Sequence, residues 1–399
     1  MGGRLGSQLL NGQPDIKMNR ETSMVRIQQV TNRRGLREFV RFPWRVYKDD
    51  PNWVPPLISD QLATLDPNKG SFYGHGEAAL FLAQRKGVLA GTIAAFVDHR
   101  FVQHSGQKVG GFGFFEVLED YQAAEQLLGA ACEWLRKRGM DTVSGPNNFS
   151  DLERPGVLIE GDECPPVMLE AHTPLYYKDF LERYGFQKDH DLYAWRAHRS
   201  QIGEGWKNVP PQLARVAEAA KDQANVNIRQ VRMEKWDEEI HAAYQLFVRT
   251  LDYLPEHMPI TEDEFHEFAD PLKTFLDPDL ALMAEVNGKA IGFIVALPDI
   301  NQVLIHLNGQ LFPFGWLKVK PLMRKINIAT FKLMGLLEEY RHRGIDAILY
   351  LEAVKAIYEK GYEWIDGSVT SENNPIVNLI AKRLGAEQYK HYRVYKMNL

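Results

Sequence analysis

Val25-Arg26-Ile27-Gln28-Gln29-Val30 returns 201 residues later as Val226-Asn227-Ile228-Arg229-Gln230-Val231. Each run sets a β-branched residue at its first and third positions, the pattern of a half-buried strand. The likeness continues along the chain. Ala90-Gly-Thr-Ile93 lies in a strand–turn–strand pattern that recurs around Ile291-Gly-Phe-Ile294, with Gly91 and Gly292 again 201 apart. Asp98 and Asp299 close the second strand of each hairpin at that same offset, and Arg183-Tyr-Gly185 matches Arg383-Leu-Gly385 at 200. One such match is weak, but several at nearly one spacing mean that a unit is written twice. The period is far above the 20–50 residues of stacked repeats, so the unit is a whole domain.

Between these anchors the offset drifts. Lys137-Arg-Gly139 and Glu359-Lys-Gly361 are 222 apart, so the second copy carries about 20 extra residues after its hairpin, and the first regains them between Asp151 and His172; insertions between elements fall in surface loops. In each copy a β-run (25–31; 226–232) precedes a helical segment (35–48; 236–251) and a hairpin (78–98; 280–298). A strand (111–117; 326–337), a helix (120–138; 344–360), a short strand, a helix and a final strand follow. This mixture predicts an α/β (α+β) fold, a mixed sheet covered by helices in each copy. The divisions are a disordered leader over 1–23, a first module over 24–199, a linker ending in a helix over 200–224, and a second module over 225–399.

The 399 residues carry a net charge of −5, which gives no global basic field and argues against nucleic acid as a partner. Two cysteines, Cys132 and Cys164, cannot build a disulfide framework, and both read as small buried residues in a reducing cytoplasm. No stretch reaches the ~18 consecutive apolar residues of a membrane span, and the leader lacks the apolar core of a signal peptide. The histidines never pair at metal-ligand spacing, so no metal is expected.

Chemistry concentrates in Glu338-Glu-Tyr-Arg-His-Arg-Gly-Ile-Asp346, between a strand and a helix. A glycine at a helix start lets backbone N–H groups converge where the helix dipole is positive. Arg341, His342 and Arg343 add donors around Gly344, Ile345 and Asp346, and the result reads as a phosphate cradle; the alternative is a plain charged turn. Arg341 and Gly344 resemble the Arg/Gln-x-x-Gly-x-Gly/Ala pyrophosphate loop of the GNAT acyltransferases, with Asp346 standing where that family has Gly or Ala. Asn374-x-x-Val377-x-x-Ile380 followed by Gly385 is similar to the family's second signature, in which an Asn opens a helix flanking the pantetheine. The ending Tyr389-Lys-His-Tyr-Arg-Val-Tyr395 resembles a bacterial branch of tandem N-acyltransferases that includes the bacterial ceramide synthases. The resemblance implies two GNAT-like modules, each with a mostly antiparallel sheet, and acyl-CoA or acetyl-CoA as a co-substrate with nothing bound permanently. In the first copy Glu119-Asp-Tyr-Gln122 stands opposite Arg341–Gly344, and its acidic residues should repel a pyrophosphate.

Direct transfer to an amine needs a donor for the tetrahedral oxygen, a base and an acid. The resemblance puts the donor on the strand before the loop, at Gly335, Leu336 and Leu337. The family's usual acidic Tyr is replaced by Ala381, so either Tyr389 or Tyr392 serves, or the thiolate leaves without help, or the protein is not a catalyst. Glu372 ranks first as base, then Asp366, His306 and His257; capping and structural roles are the competing readings. Leu311-Phe-Pro-Phe-Gly-Trp-Leu-Lys-Val-Lys-Pro-Leu-Met-Arg-Lys325 mixes bulky apolar residues with four cations. That composition suits contact with anionic lipid or a long acyl chain, against a plain connection packed on the first module. The expected function is N-acyl transfer to a small-molecule or lipid-like amine, in the cytoplasm or at the inner face of its membrane. An acyl-CoA sensor without catalysis and a peptidoglycan-type aminoacyl transferase stay open as alternatives.

Overall fold

The computed structural model describes residues 24–150, 153–203, 211–224, 226–251 and 260–399. The expected leader over 1–23, part of the linker, and His257 lie outside the described residues. The first copy contributes β1 (Val25–Gln29), β2 (Gly76–Arg85), β3 (Val88–Asp98), β4 (Val109–Val117), β5 (Thr142–Gly145), β6 (Val157–Glu160) and β7 (Gln187–His198). The second contributes β8 (Val226–Gln230), β9 (Ala281–Val286), β10 (Lys289–Pro298), β11 (Ile328–Leu336), β12 (Trp364–Ser371) and β13 (Glu387–Asn398).

These strands form one mixed, mostly antiparallel sheet in the order β1-β2-β3-β4-β5-β13-β7-β12-β11-β10-β9-β8, with β6 pairing off this path on β13. The repeat is visible in its register. Val25 opposes Arg85 as Val226 opposes Val286, and Ala83 opposes Gly91 as Ala284 opposes Gly292. At the centre the two copies exchange their last strands. Thr142 on β5 faces Asn398 of β13, while Trp364 on β12 faces His198 of β7. These are one pair in two copies, offset by 222 on one side and 200 on the other. β7 and β13 also pair with each other, antiparallel. The 200–224 division therefore separates the chain but not the sheet.

Helices cover each half where their apolar spacing demands it. The first-copy helix, Tyr121–Arg136, buries Ala123, Ala124, Leu127, Leu128, Ala131, Cys132 and Leu135, a three- and four-residue spacing that forms one stripe against the sheet. Burial raises the Cys132 thiol, whereas Cys164, expected to be buried, is only partly covered. The second-copy helix, Ile345–Glu359, buries Ile345, Ile348, Leu349, Ala353 and Ile357. The linker helix, Pro211–Ala224, packs Ala217 and Ala220 on Ala347 and Ile348, and Lys221 pairs with Glu352. Short helices at Ile58–Thr64, Glu262–Ala269 and Trp316–Met323, and strand β6, had no periodic signal long enough to announce them.

Candidate functional site

The turn from β11 into the second-copy helix spans residues 337–344. Gly344 takes the left-handed conformation at φ 78° and no side chain caps the helix start. The first N–H groups of that helix carry no side-chain cap among the described residues, with the helix dipole behind them. A Cβ on Gly344 would sit 2.8 Å from Val216 Cγ1 and 3.0 Å from the Val216 carbonyl oxygen, so the linker helix also requires glycine here.

Arg341 does not take the place expected of it. Its Nε donates to the Leu336 carbonyl at 3.1 Å and an Nη donates to the Thr250 carbonyl at 3.2 Å. It ties the loop to the end of β11 and to the helix Trp236–Leu251. Among the exposed side chains of the loop are His342, itself at φ 60°, and Arg343, whose guanidinium lies 5.4 Å from the Tyr340 ring centre. Asp346 is half-buried in the first helical turn.

β11 pairs in parallel with β12 only from Ile328 to Phe331, opposite Trp364 to Gly367, and then the strands part. No atom lies within 4 Å of a Cβ placed on Gly367. The β10–β11 ladder slips between Val295 and Ala296, leaving Lys332 outside the pairing. In the oxyanion stretch inferred at Gly335, Leu336 and Leu337, consecutive N–H groups point alternately to β10 and to the β12 side. The Leu337 N–H donates to Ile291 oxygen at 3.0 Å, and buried Leu336 faces Gly292 within the ladder. The break in the ladder, where main-chain groups can turn into the opening, sits at Lys332.

In the first copy the corresponding place is closed in three ways. Its strand-to-helix turn is only residues 118–120, five shorter than the 337–344 loop, so the expected alignment of Glu119–Gln122 with Arg341–Gly344 does not survive. Asp120 caps the helix, accepting from the Ala123 N–H, and pairs with Arg85 at 2.7 Å. The opening between β4 and β5 is filled from within: Asn148 Oδ1 accepts from the Phe114 N–H at 2.9 Å, and a Cβ on Gly145 would meet the Phe112 carbonyl oxygen at 2.3 Å.

Beside the β11–β12 opening lies a buried acidic cluster contributed by both copies. Asp366 is 1% exposed; Thr330 and Ser368 hydroxyls donate to its Oδ1 and Tyr389 to its Oδ2 at 2.8 Å. Lys332 reaches across the opening to Ser368 at 3.2 Å. Glu170, 3% exposed, arrives from the first copy's 151–172 insertion; its Oε2 accepts from Tyr392 at 3.2 Å, from Tyr389 at 3.5 Å and from the Val167 N–H. Its Oε1 is buried with no hydrogen-bond partner among the described residues. Burial, then the nearby charge of Asp366, push Glu170 up to about 7 against the pull of Lys332. Burial likewise raises both tyrosines well above their ordinary value, so they stay protonated donors.

The insertion is held rigidly. β6 pairs with β13, buried Lys390 donates to the Gly161 and Cys164 carbonyls, and Asp299 accepts from the Met168 N–H at 2.9 Å. Burial raises Asp299 to about 7. A cavity of ≈ 80 Å³, lined by Trp53, Phe114, Arg154, Glu170 and Asn301 among others, runs beside the cluster. It has room for several water-sized groups, which suits a polar headgroup.

Of the catalytic candidates, Asp366 and Tyr392 meet at this cluster and Glu372 does not. Glu372 accepts from Lys188 at 2.9 Å and from the Asp191 N–H, and the Lys188 bond first of all lowers its carboxyl, which weakens it as a base. It latches β12 to β7. Asn374 caps the helix Pro375–Arg383 through the Val377 N–H. His306 is exposed, with no side-chain partner among the described residues. Glu170 escaped the sequence reading because nothing local marks it; only the insertion that carries it was legible.

No family model matches the chain. It is 31% identical over 375 residues to Protein YghO of Escherichia coli strain K12, covering 92% of this chain and 94% of that protein. It is 31% identical over 371 residues to a bacterial ceramide synthase of Caulobacter vibrioides, covering 91% and 95%. Among solved structures, a tandem GNAT protein from the clavulanic acid biosynthesis pathway superposes with a TM-score of 0.55 at 12% identity, over 94% of this chain and 98% of that one, a likeness of fold.

Proposed function

From the premise that the chain belongs to the tandem GNAT-fold family of these two bacterial relatives, we propose that it transfers an acyl group from acyl-CoA to an amine. The observation that carries this reading is the contrast at one helix start: an uncapped helix and a parted strand pair in the second copy, a capped helix and a filled gap in the first. The second copy then binds the donor, with Gly344, Ile345 and Asp346 offering main-chain N–H groups to the diphosphate, and His342 and Arg343 at the rim. Arg341 shapes the loop from behind.

Glu170 is the base in this reading, replacing Glu372. Its Oε1 takes a proton from the acceptor ammonium, and the amine so formed attacks the thioester carbon; the C–N bond forms, the C–S bond breaks, and the second proton lost by the nitrogen goes to the departing thiolate, leaving amide and free thiol. A carboxyl near 7 is half ionised at neutral pH, the range in which a base is effective. Tyr389, Tyr392, Thr330 and Ser368 hold the two carboxylates in place. The relative named as a ceramide synthase favours a long acyl chain and an amphiphilic amine, since a ceramide is itself an N-acyl amphiphile.

The test is calorimetric titration with acetyl-CoA, palmitoyl-CoA and free CoA on the parent and on Arg343→Glu. The reading expects saturable binding, weakened roughly tenfold by the reversed charge at the helix start. Undiminished binding in the variant would move the donor site elsewhere. Binding without turnover of any amine would favour an acyl-CoA sensor.

A further inference from the structure

We infer that residues 312–325 dock this protein on the surface of an anionic lipid bilayer. The apolar part is a raised tip: Phe312, Phe314, Trp316 and Leu317 are 73%, 72%, 52% and 54% exposed, four of the most exposed large apolar side chains in the described structure. The helix Trp316–Met323 that follows has no buried residue at all. Val319, Leu322 and Met323 form its partly covered inner face, while Trp316 and Leu317 stand out on the exposed side; soluble surfaces rarely gather such residues in one place without a partner.

Charge decides which partner. Lys318, Lys320, Arg324 and Lys325 stand directly behind the apolar tip, all exposed and without acidic partners among the described residues. The sequence has no acidic residue between Asp299 and Glu338, although the chain as a whole carries −5. Positive potential is thus concentrated where, among the described residues, large aromatic side chains protrude from a protein of net negative charge. Aromatic tip and basic shoulder together match an interface of acyl chains and anionic headgroups. An apolar protein groove would accept the tip but has no need of the cations.

The tip is also prepared for insertion, because its base is fixed. Trp44 Nε1 donates to Asn308 Oδ1 at 2.7 Å, the Ile58 N–H donates to the Gly309 carbonyl at 3.0 Å, and a Cβ on Gly309 would meet Trp44 at 2.4 Å. Trp316 closes the turn through its backbone N–H to Leu311 and its indole N–H to the Pro313 carbonyl. A pre-ordered tip loses little conformational freedom on binding. Pro43, Trp53 and Pro56, which flank or belong to the segments holding that base, also line the cavity that reaches Glu170. Docking therefore sets the cavity wall against the bilayer; that this serves to draw an amphiphilic amine inward rests on the acyltransferase reading, whereas the docking itself does not.

The experiment is flotation of the full chain with vesicles of phosphatidylglycerol and phosphatidylcholine in equal parts, and with phosphatidylcholine alone, without substrate. The parent should float with the first and much less with the second. Phe314→Ser with Trp316→Ser should reduce the apparent affinity at least ~10-fold through lost apolar burial. Lys318→Glu should cost about fivefold at low salt and less at high salt. Circular dichroism checks that each variant is folded, as expected for exposed positions. Equal flotation with both lipids, or flotation unchanged by the aromatic pair, overturns the proposal. So does sedimentation showing that the aromatic pair abolishes self-association while the parent ignores vesicles. Turnover of a soluble short-chain amine, measured alongside, separates the readings: if it persists without vesicle binding, docking fails alone, and if binding persists without turnover on any amine, the acyltransferase reading fails alone.

Discussion

The two copies share strand registers residue for residue on their outer flanks, yet they part company within a few residues of one helix start. In the first, three residues join β4 to its helix and Asp120 caps that helix; in the second, eight residues join β11 to its helix and no described side chain caps it. The first fills the gap between its fourth and fifth strands with Asn147 and Asn148, whereas the second keeps it clear beside Gly367. Identical scaffolds thus carry opposite electrostatics at the same point, and the difference lies in five residues of loop and one capping carboxylate. The copy that lost the loop contributes something else: its insertion delivers Glu170 to a cluster whose other carboxylate, Asp366, belongs to its neighbour.

The comparison breaks most visibly at Glu170. Glu170→Gln should lower the rate constant for acylation by roughly 10²–10⁴-fold with donor affinity unchanged, measured by single-turnover kinetics beside calorimetry. The parent's rate should rise with pH through about 7 and the variant's residual rate should not. Stability should move the other way. A carboxyl raised above its ordinary value favours the fold when protonated, so its contribution is present at pH 4, declines as pH rises to about 7, and is flat beyond. Glu170→Gln should therefore gain in melting temperature relative to the parent between pH 4 and pH 8. Asp299 and Glu116, both raised to about 7 by burial, are common to the two proteins and cancel. A rate as pH-dependent in the variant as in the parent would remove Glu170 from the chemistry.

A smaller and sharper contrast comes from the two helix starts. Gly344→Ala forces a side chain into φ 78° against the linker helix, so it should cost ~1–3 kcal/mol of stability and weaken donor binding. Asp120→Ala removes the matching feature of the first copy. It should cost about 1 kcal/mol as a lost cap and leave donor binding untouched. Denaturant unfolding and calorimetry read both. Donor affinity that responds to Asp120→Ala and ignores Gly344→Ala would reverse the assignment of the two copies.

Much of this architecture was legible because duplication makes weak signals confirm one another. Strand periods, hairpin turns and the helices at 121–136 and 345–359 were all readable from spacing, and their repetition fixed the unit. The exchange of β7 and β13 was not, since the sequence offsets are the same whether a strand pairs within its own copy or across. The loop at Gly344 was legible as a helix start, but the role of Arg341 was not, because its partners are carbonyls of Leu336 and Thr250 that no side-chain pattern announces. Glu372 and Asp366 looked alike in sequence as acids on or after one strand. A lysine at 188 captures the first, and Tyr389 from β13 meets the second.

Because β13 lies between β5 and β7, the last strand of the second copy is laid down in the middle of the sheet. During synthesis the fifth strand, paired with β4 on one edge, has its other edge open until β13 has been made. Neither half is complete as a free-standing part, which ties the fates of the two copies together.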